Sequence, residues 1–219
     1  MTDFGPIEVR DVCSADLPDV IQAHQSAFPG FLMTMLGPRF LRTYYQTVLD
    51  YPDRIFLAIL SPDNRLCGFV AGFAQPRNFY RLFDSRRRQA MISAFLYVAI
   101  RPAIWKRVLE NIQQVRARSA DAQLDDEIAE LASICVDPDS AGYGFGKQLV
   151  VEFLNRAKDL AMESVILTTY ALNNDRINSF YEDLGFKLSG TTNRVGGRVM
   201  NKYRYEIRTN LQPLILEDE

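Results

Sequence analysis

One stretch of the sequence constrains the fold more than any other, because a strand-like run passes through a glycine-rich turn into a helical pattern. It reads ICVDPDSAGYGFGKQLVVEFL, with alternate glycines at Gly142, Gly144 and Gly146. Glycine is unfavourable at a helix start unless bare backbone is needed there. Free N–H groups at a helix N-terminus attract anions, and the helix dipole adds about half a positive charge. The stretch therefore predicts a strand, an anion-binding loop and a helix.

Two familiar phosphate-binding loops do not fit this stretch. A P-loop requires G-x-x-x-x-G-K-[ST], but Ala141 stands five residues before Gly146, and Gln148 follows Lys147. A dinucleotide-binding fingerprint requires G-x-G-x-x-G after the first strand. Here the spacing is G-x-G-x-G, and the motif follows the fourth predicted strand. The loop is therefore of another kind.

The remaining sequence alternates strand and helix patterns. Apolar runs predict strands at 7–12, 54–60, 65–74, 127–136 and 164–170, and a closing hairpin across Gly196 and Gly197. Helical spacing predicts helices from Ser14, over 38–50, across 76–124, over 144–163 and from Asn174 to Gly185, with Pro102 splitting the third of these. This order predicts an α/β fold, with one domain over 1–219 built around a mixed sheet. Its helical insertion covers about 76–124.

Composition excludes several classes of function. The 219 residues are 47% hydrophobic and 24% charged, and the formal net charge of −2 does not favour a nucleic-acid partner. The basic run Arg86–Arg88 is interpreted as a solvated face. We expect no membrane span, since the longest apolar run, Ala90–Ile100, is too short to cross a bilayer. The N-terminal residues show no signal-peptide pattern.

The cysteines and the single histidine argue against a metal site. Cys13, Cys67 and Cys135 stand far apart and, with His24, cannot assemble a zinc ligand set. Cys67 and Cys135 lie in apolar runs, which predicts buried reduced thiols and a cytoplasmic protein. His24 lies in a helical pattern near apolar residues, so we interpret it as structural or as lining a substrate site.

Two motifs together resemble the GNAT superfamily of N-acetyltransferases. Their acetyl-CoA loop reads [QR]-x-x-G-x-[GA] after a strand that ends V-x-P, and VDPDSAGYGFGKQL is similar, with Gly144 and Gly146 at the glycine positions. The Gln/Arg position is Ala141, which departs from the pattern. A second GNAT pattern, N-x6-Y-x3-G-F, is matched by NDRINSFYEDLGF, with Asn174 and Tyr181 at its anchors.

The resemblance implies a GNAT-like domain with a mixed, mostly antiparallel sheet flanked by helices, and acetyl-CoA as co-substrate. It places the cofactor-binding core at about 127–186. Its cofactor-binding residues would be Ile134, Val136, Gly142, Tyr143, Gly144, Phe145, Gly146, Lys147, Asn174 and Tyr181. In this set the resemblance makes the Ile134 N–H the oxyanion donor to the thioester, and Val136 would pair its backbone with pantetheine. Lys147 would compensate for the missing charge at Ala141.

The resemblance also implies two catalytic residues. Tyr181 would be the general acid for the departing thiolate, and Glu130, eleven residues before Ala141, would be the general base. Each has an alternative. Tyr181 is also a plausible core tyrosine, Glu130 also fits the end of a solvated acidic run with a water chain as base, and Asn174 also fits a helix N-cap.

The acceptor side is less specific. Residues 23–49 resemble bacterial GNAT members that acetylate small amines, including amino sugars. We therefore expect an acetyltransferase acting on a small primary amine by direct attack in a ternary complex. The alternatives are a protein or peptide N-acetyltransferase, or a CoA-binding module without turnover. The insertion carries Phe95, Tyr97 and Trp105, and is interpreted as a lid or core element, a homodimer interface, or a membrane-resting surface.

Overall fold

The computed structural model describes residues 9–99, 126–194 and 198–207. Its strands are β1 Val9–Asp11, β2 Arg54–Leu60, β3 Leu66–Ala74, β4 Ile128–Val136, β5 Ser164–Tyr170, β6 Lys187–Arg194 and β7 Arg198–Glu206. Its α-helices are α1 Leu17–Ala27, α2 Leu32–Met35, α3 Pro38–Asp50, α4 Pro76–Ala99, α5 Phe145–Asp159 and α6 Asp175–Asp183. Two 3-10 turns, Ser14–Asp16 and Pro138–Ser140, precede α1 and α5.

The described strands form one seven-stranded sheet in the order β1-β2-β3-β4-β5-β7-β6. Every neighbouring pair is antiparallel except β4 and β5, which α5 connects as a crossover. A parallel pair needs such a crossover, since a tight turn reverses the chain. The mixed, mostly antiparallel sheet flanked by helices is confirmed. The closing turn at Gly196 and Gly197 and the break at Pro102 lie outside the described residues.

The parallel pair is short and opens into a fork. Only Ile128–Glu130 of β4 pair with Ser164–Ile166 of β5. On its other edge β4 stays paired with β3 as far as Val136. In the described residues, therefore, the edge of β4 that faces β5 has no strand partner after Glu130.

A β-bulge lies at the start of this unpaired segment. Ala71 of β3 pairs with Ser133 and Gly72 pairs with Leu131, so Ala132 is the extra residue of β4. A Cβ at Gly72 would lie 2.1 Å from the Glu130 carbonyl oxygen and 2.7 Å from the Phe153 ring of α5. Only glycine allows this close approach of backbone and helix. Bulges bend a strand and redirect its side chains, as β4 requires at the fork.

The two faces of the sheet bury different cores. Helices α1, α3 and α4 cover one face, which we call the α1–α4 face, with a core rich in aromatic rings. Its rings include Phe40, Tyr44, Tyr45, Phe56, Phe69, Phe73, Phe79 and Phe83. Helix α5 covers the other face, which we call the α5 face, with a mainly aliphatic core that includes Leu57, Val70, Leu149, Val150, Leu154 and Val165. Tyr181 on α6 also belongs to this second core.

The structure corrects three helix predictions. The helix predicted from Ser14 begins as a 3-10 turn, and α1 proper starts at Leu17. The predicted break after α1 contains α2, which is too short to show a helical period. Gly144 is not inside a helix: it is the N-cap of α5 with φ 76°. Helix α5 also ends at Asp159 rather than residue 163, because Ala161 takes a left-handed φ of 58°.

No helix in the described part of the chain is long and apolar enough to cross a membrane. The described residues also contain no group of three or more His, Cys, Asp or Glu side chains able to hold a metal ion. Cys67 and Cys135 are buried free thiols, as predicted, and Cys13 is exposed. Burial raises the pKa of Cys135 to about 11, so this thiol stays protonated and unreactive at neutral pH.

Candidate active site

The glycine-rich loop between β4 and α5 has a fixed backbone conformation. The Asp137 carboxylate accepts a hydrogen bond of 3.0 Å from the Asp139 N–H and so caps the 3-10 turn. Gly142 and Gly144 have φ of 89° and 76°, a left-handed conformation that side chains rarely adopt. These two glycines are therefore explained by the turn itself.

Gly146, in the first turn of α5, has a different explanation. Its φ is not positive, and a Cβ there would lie 3.6 Å from the Phe180 ring and 3.8 Å from Val136, which are ordinary contacts. Alanine would fit and would favour the helix. Neither conformation nor packing requires glycine here, so glycine and alanine are both compatible with the fold at this position.

The loop presents backbone donors to such a ligand. In the described residues, no acceptor receives a hydrogen bond from the backbone N–H groups of Gly144, Gly146 and Lys147. The first backbone hydrogen bond of α5 is donated by the Gln148 N–H to the Gly144 carbonyl oxygen, at 3.0 Å. The exposed Lys147 adds a positive charge. The Tyr143 ring is 42% exposed and stacks on Phe145 at 5.8 Å. This donor set suits a diphosphate.

The loop, the unpaired end of β4 and α6 meet at Gly146. A Cβ there would contact Val136 on one side and Phe180 on the other. Ile134, two residues before Val136, is half-buried against the core of the α5 face. A ligand chain leaving the loop would therefore run along the edge of β4 that lacks a strand partner.

Asn174 occupies the N-cap position of α6, but its side chain does not cap the helix. Its Nδ2 donates to Thr169 Oγ1 at 2.9 Å and to the Tyr170 carbonyl oxygen at 3.1 Å, both at the end of β5. The side chain thus ties α6 to β5 beside the fork, and its Oδ1 has no partner in the described residues. The sequence predicts that Asn174 lies at the start of the helix, but it does not show that the side chain points back to β5.

Tyr181 is a core tyrosine, as one of its two interpretations predicts, and its role as general acid stays a prediction. Its side chain is 5% exposed and lies among Phe180, Phe186 and Tyr203, with ring centroids 5.2 to 6.1 Å away. No hydrogen-bond partner holds its hydroxyl in the described part of the chain. Burial raises the pKa of Tyr181, which keeps the hydroxyl protonated and able to donate.

Glu130 lies at the base of the fork, as the last residue of β4 that pairs with β5. It is half-buried inside a strand, so it does not end a solvated acidic run. Its Oε1 accepts a hydrogen bond of 3.0 Å from the hydroxyl of Tyr80 on α4. The sequence does not point to Tyr80 as a site residue, because no local pattern links residues fifty positions apart.

Aromatic rings cover the α1–α4 face beside the fork. His24, Phe28, Phe31 and Tyr170 form a chain of rings with centroids 4.8, 5.4 and 5.2 Å apart, which reaches from α1 to the end of β5. His24 Nδ1 lies 2.7 Å from the Tyr45 hydroxyl. Burial lowers the pKa of His24 to about 4, so the ring is neutral at physiological pH. This favours a structural role for His24.

A family model described as an acetyltransferase (GNAT) domain matches residues 103–188. No curated protein sequence matches the chain. The match includes the glycine-rich loop, the fork and α6, which are the parts of the site described above.

Solved structures show the same fold. An N-acetyltransferase from Staphylococcus aureus is 15% identical with a TM-score of 0.60, over 93% of this chain and 99% of the other. The ribosomal-protein-S18-alanine N-acetyltransferase from Escherichia coli is 14% identical with a TM-score of 0.56, over 92% and 94%. A chimera of the spermidine N-acetyltransferase SpeG from Vibrio cholerae and hSSAT is 13% identical with a TM-score of 0.60, over 94% and 98%.

At these identities the solved structures show the fold alone, and the acceptors in their names range from a polyamine to a protein. The family model adds the acetyltransferase domain, and it covers the loop and helix whose sequence motifs resemble the GNAT patterns. Residues 103–188 are therefore similar to a GNAT acetyltransferase domain, and the described fold agrees with that match.

Proposed function

We propose that the protein transfers an acetyl group from acetyl-CoA to a primary amine of a small molecule, by direct attack within a ternary complex. The observation that carries the cofactor assignment is the set of backbone N–H groups of Gly144, Gly146 and Lys147, which have no acceptor in the described residues. These groups lie where the loop meets the unpaired edge of β4.

The residues around the loop would hold the cofactor. The N–H groups of Gly144, Gly146 and Lys147 would bind the diphosphate, with added charge from the Lys147 ammonium. Val136 and Ile134 would offer backbone groups along the open edge of β4, and Asn174 would offer Oδ1 at the end of β5. The absence of a Gln or Arg side chain at Ala141 leaves these backbone donors intact.

Three groups near the fork supply the chemistry that acetyl transfer needs. The Glu130 carboxylate would take the proton from the acceptor ammonium, the Ile134 N–H would polarise the thioester carbonyl, and the Tyr181 hydroxyl would protonate the departing thiolate. A positioned acid or base typically contributes about 10²–10⁴-fold to the rate. Tyr181 stays protonated because it is buried, as a general acid requires.

The covering of the α1–α4 face supports a small acceptor. The Tyr80 hydroxyl of α4 donates to Glu130, and the ring chain from His24 to Tyr170 runs from α1 to the end of β5. A protein N-terminus or lysine needs an open groove in which a polypeptide can lie. Aromatic side chains next to the proposed base favour a compact amine.

The test measures binding and transfer separately. Calorimetry of the full chain with acetyl-CoA gives the affinity, and thiol release reports transfer to glucosamine, spermidine and a short peptide with a free N-terminal alanine. We expect binding, and turnover with a small amine but not with the peptide. Tyr181→Phe should lower kcat by about 10²–10⁴-fold without weakening acetyl-CoA binding.

Tyr203→Phe is the matched control, since Tyr203 packs on Tyr181 but its hydroxyl donates to Glu182 at 2.8 Å. It should retain kcat. Turnover of the peptide alone would overturn the small-amine proposal and leave acetyl transfer standing. Binding without transfer to any amine would favour a CoA-binding module, and no binding would refute the proposal as a whole. A homodimer and a cytoplasmic location stay predictions.

A further inference from the structure

The first turns of the predicted insertion reach the base of the fork. Tyr80 is the fifth residue of α4, and its hydroxyl donates to Glu130 Oε1 at 3.0 Å across fifty residues of sequence. No other hydrogen bond to the Glu130 carboxylate is present in the described residues. One carboxylate oxygen is therefore engaged by Tyr80, and Oε2 is left for another partner.

The Tyr80 ring is held firmly by its neighbours. It packs edge-on against Phe73 of β3 at 5.5 Å and against Phe79 of α4 at 5.4 Å. Phe73 and Phe79 are stacked on each other with centroids 3.6 Å apart. Such aromatic contacts leave the ring few alternative positions, so the hydroxyl is presented to Glu130 in a fixed direction.

Helix α4 is itself fastened along α3 at two separate points. Arg86 forms a salt bridge of 2.5 Å with Asp50 at the end of α3. At the other end the Tyr97 ring lies on Gly37, where a Cβ would be only 2.8 Å from the ring. The bare backbone of Gly37 thus admits Tyr97. These contacts fix the helix that carries Tyr80.

We propose that Tyr80 is a positioning residue for acetyl transfer: its bond to Oε1 orients the Glu130 carboxylate so that Oε2 is available to the acceptor amine. There the N–H bond of the ammonium breaks, the proton passes to Oε2, and the nitrogen keeps the electron pair for attack. The inference rests on the proposed function with Glu130 as base. It gives the start of the insertion a place in the active site.

Other titratable groups on this face do not replace Tyr80. Tyr44 and Tyr45 lie on α3, and His24 lies on α1. The Tyr45 hydroxyl and His24 Nδ1 form a hydrogen bond with each other. On α4, Arg77 and Arg81 flank Tyr80 in sequence and are exposed. Along the chain, Asp126 and Glu127 precede β4.

The experiment compares Tyr80→Phe with Tyr51→Phe. Tyr51 lies in the same cluster, against Phe73 and Phe79 at 6.4 and 5.6 Å, and is 5% exposed, so its variant loses a hydroxyl without touching Glu130. Because Tyr80 orients the proposed base and does not contact the glycine-rich loop, Tyr80→Phe should lower kcat about tenfold with the KM for acetyl-CoA unchanged. Tyr51→Phe should leave kcat unchanged.

A second measurement does not depend on activity. The carboxyl carbon of Glu130, assigned by its loss in Glu130→Gln, is observed by 13C NMR at neutral pH in the full chain with each tyrosine variant. Loss of the hydrogen bond should move its chemical shift in Tyr80→Phe, and the shift should stay in place in Tyr51→Phe.

An unchanged kcat and an unchanged Glu130 carboxyl signal in Tyr80→Phe, with only a lower Tm, would overturn the inference and leave acetyl transfer intact. Full activity of Glu130→Gln would overturn it as well, since Glu130 would then not be the base. If no amine is acetylated, the proposed function fails, and an unmoved Glu130 carboxyl signal would refute the Tyr80 contact separately.

Discussion

The two faces of the sheet differ in how their parts of the site are encoded. On the α5 face, the loop, the first turn of α5 and α6 come from two short motifs, and the groups they present are mostly backbone N–H. On the α1–α4 face, Glu130 of β4 hydrogen-bonds with Tyr80 of α4, and His24 of α1 hydrogen-bonds with Tyr45 of α3; the members of each pair are far apart in sequence. Only side-chain contacts bring them together.

The difference follows from what we propose each face to bind. A diphosphate is recognised by converging amides and a helix N-terminus, which a fixed glycine spacing is enough to build. An acceptor amine is recognised by its shape and by the loss of its proton, which requires a pocket of side chains and a placed carboxylate. Under this proposal, motif-bearing segments indicate the co-substrate, and packed segments decide the acceptor.

The largest expected effect tests whether the sheet beneath the fork tolerates any side chain. Gly72→Ala would bring a Cβ within 2.1 Å of the Glu130 carbonyl oxygen, on rigid backbone. We expect the free energy of unfolding to fall by about 3 kcal/mol, at the upper end of overpacking costs. Urea denaturation measures it. A variant as stable as the wild type would show that β4 and Phe153 shift to make room for the methyl group, and that the bulge does not depend on Gly72.

A smaller effect concerns His24, on the α1–α4 face. Its folded pKa of about 4 lies below the unfolded value of 6.5, so the unfolded chain binds a proton first as pH falls. His24 therefore stabilises the fold above pH 6.5, and this contribution is lost as pH falls towards 4. We expect a loss of about 2 kcal/mol between pH 7.5 and 5.

His24→Asn is the matched variant, because its amide can still meet the Tyr45 hydroxyl from a position near Nδ1. The difference in unfolding free energy between pH 7.5 and 5, measured in urea, should shrink in this variant. Asp16, whose pKa is lowered to about 2 mainly by its bond with Arg10, titrates below this range. An equal loss of stability in both proteins would mean that His24 is protonated in the fold.

The smallest expected effect separates folding from binding on the α5 face. Gly146→Ala places a methyl group at ordinary contact distances, so stability should hold or rise by up to about 0.5 kcal/mol. The GNAT loop pattern allows alanine at this position, so acetyl-CoA binding should stay within about threefold of the wild type, or about 0.7 kcal/mol. Calorimetry and urea denaturation report the two effects independently.

Gly144→Ala is the contrasting variant, since its φ of 76° makes a side chain strained without any ligand. It should lose about 1 kcal/mol of stability. If Gly146→Ala lost acetyl-CoA binding, the ligand would approach this backbone more closely than the GNAT pattern allows.

Local pattern predicted most elements because their signals are short. β5 and α3 have the bounds expected from apolar spacing, and Gly185 ends α6 with a φ of 88°. Helix α2 was not predicted, because a single helical turn is too short to show the helical spacing of apolar residues. The side chain of Asn174 was also misjudged as a possible cap, because its bonds to Thr169 and Tyr170 depend on where β5 ends.

The order of residues alone determined the glycine spacing, the strand–loop–helix unit and the positions of Asn174 and Tyr181. These depend on neighbours within about one or two turns of chain, where backbone conformation and hydrogen bonding are set locally. Tertiary structure decided the fork after Glu130, the bulge above Gly72 and the arrival of Tyr80 at Glu130. Each of these depends on contacts between segments distant in sequence, which form only when the two cores pack against the sheet.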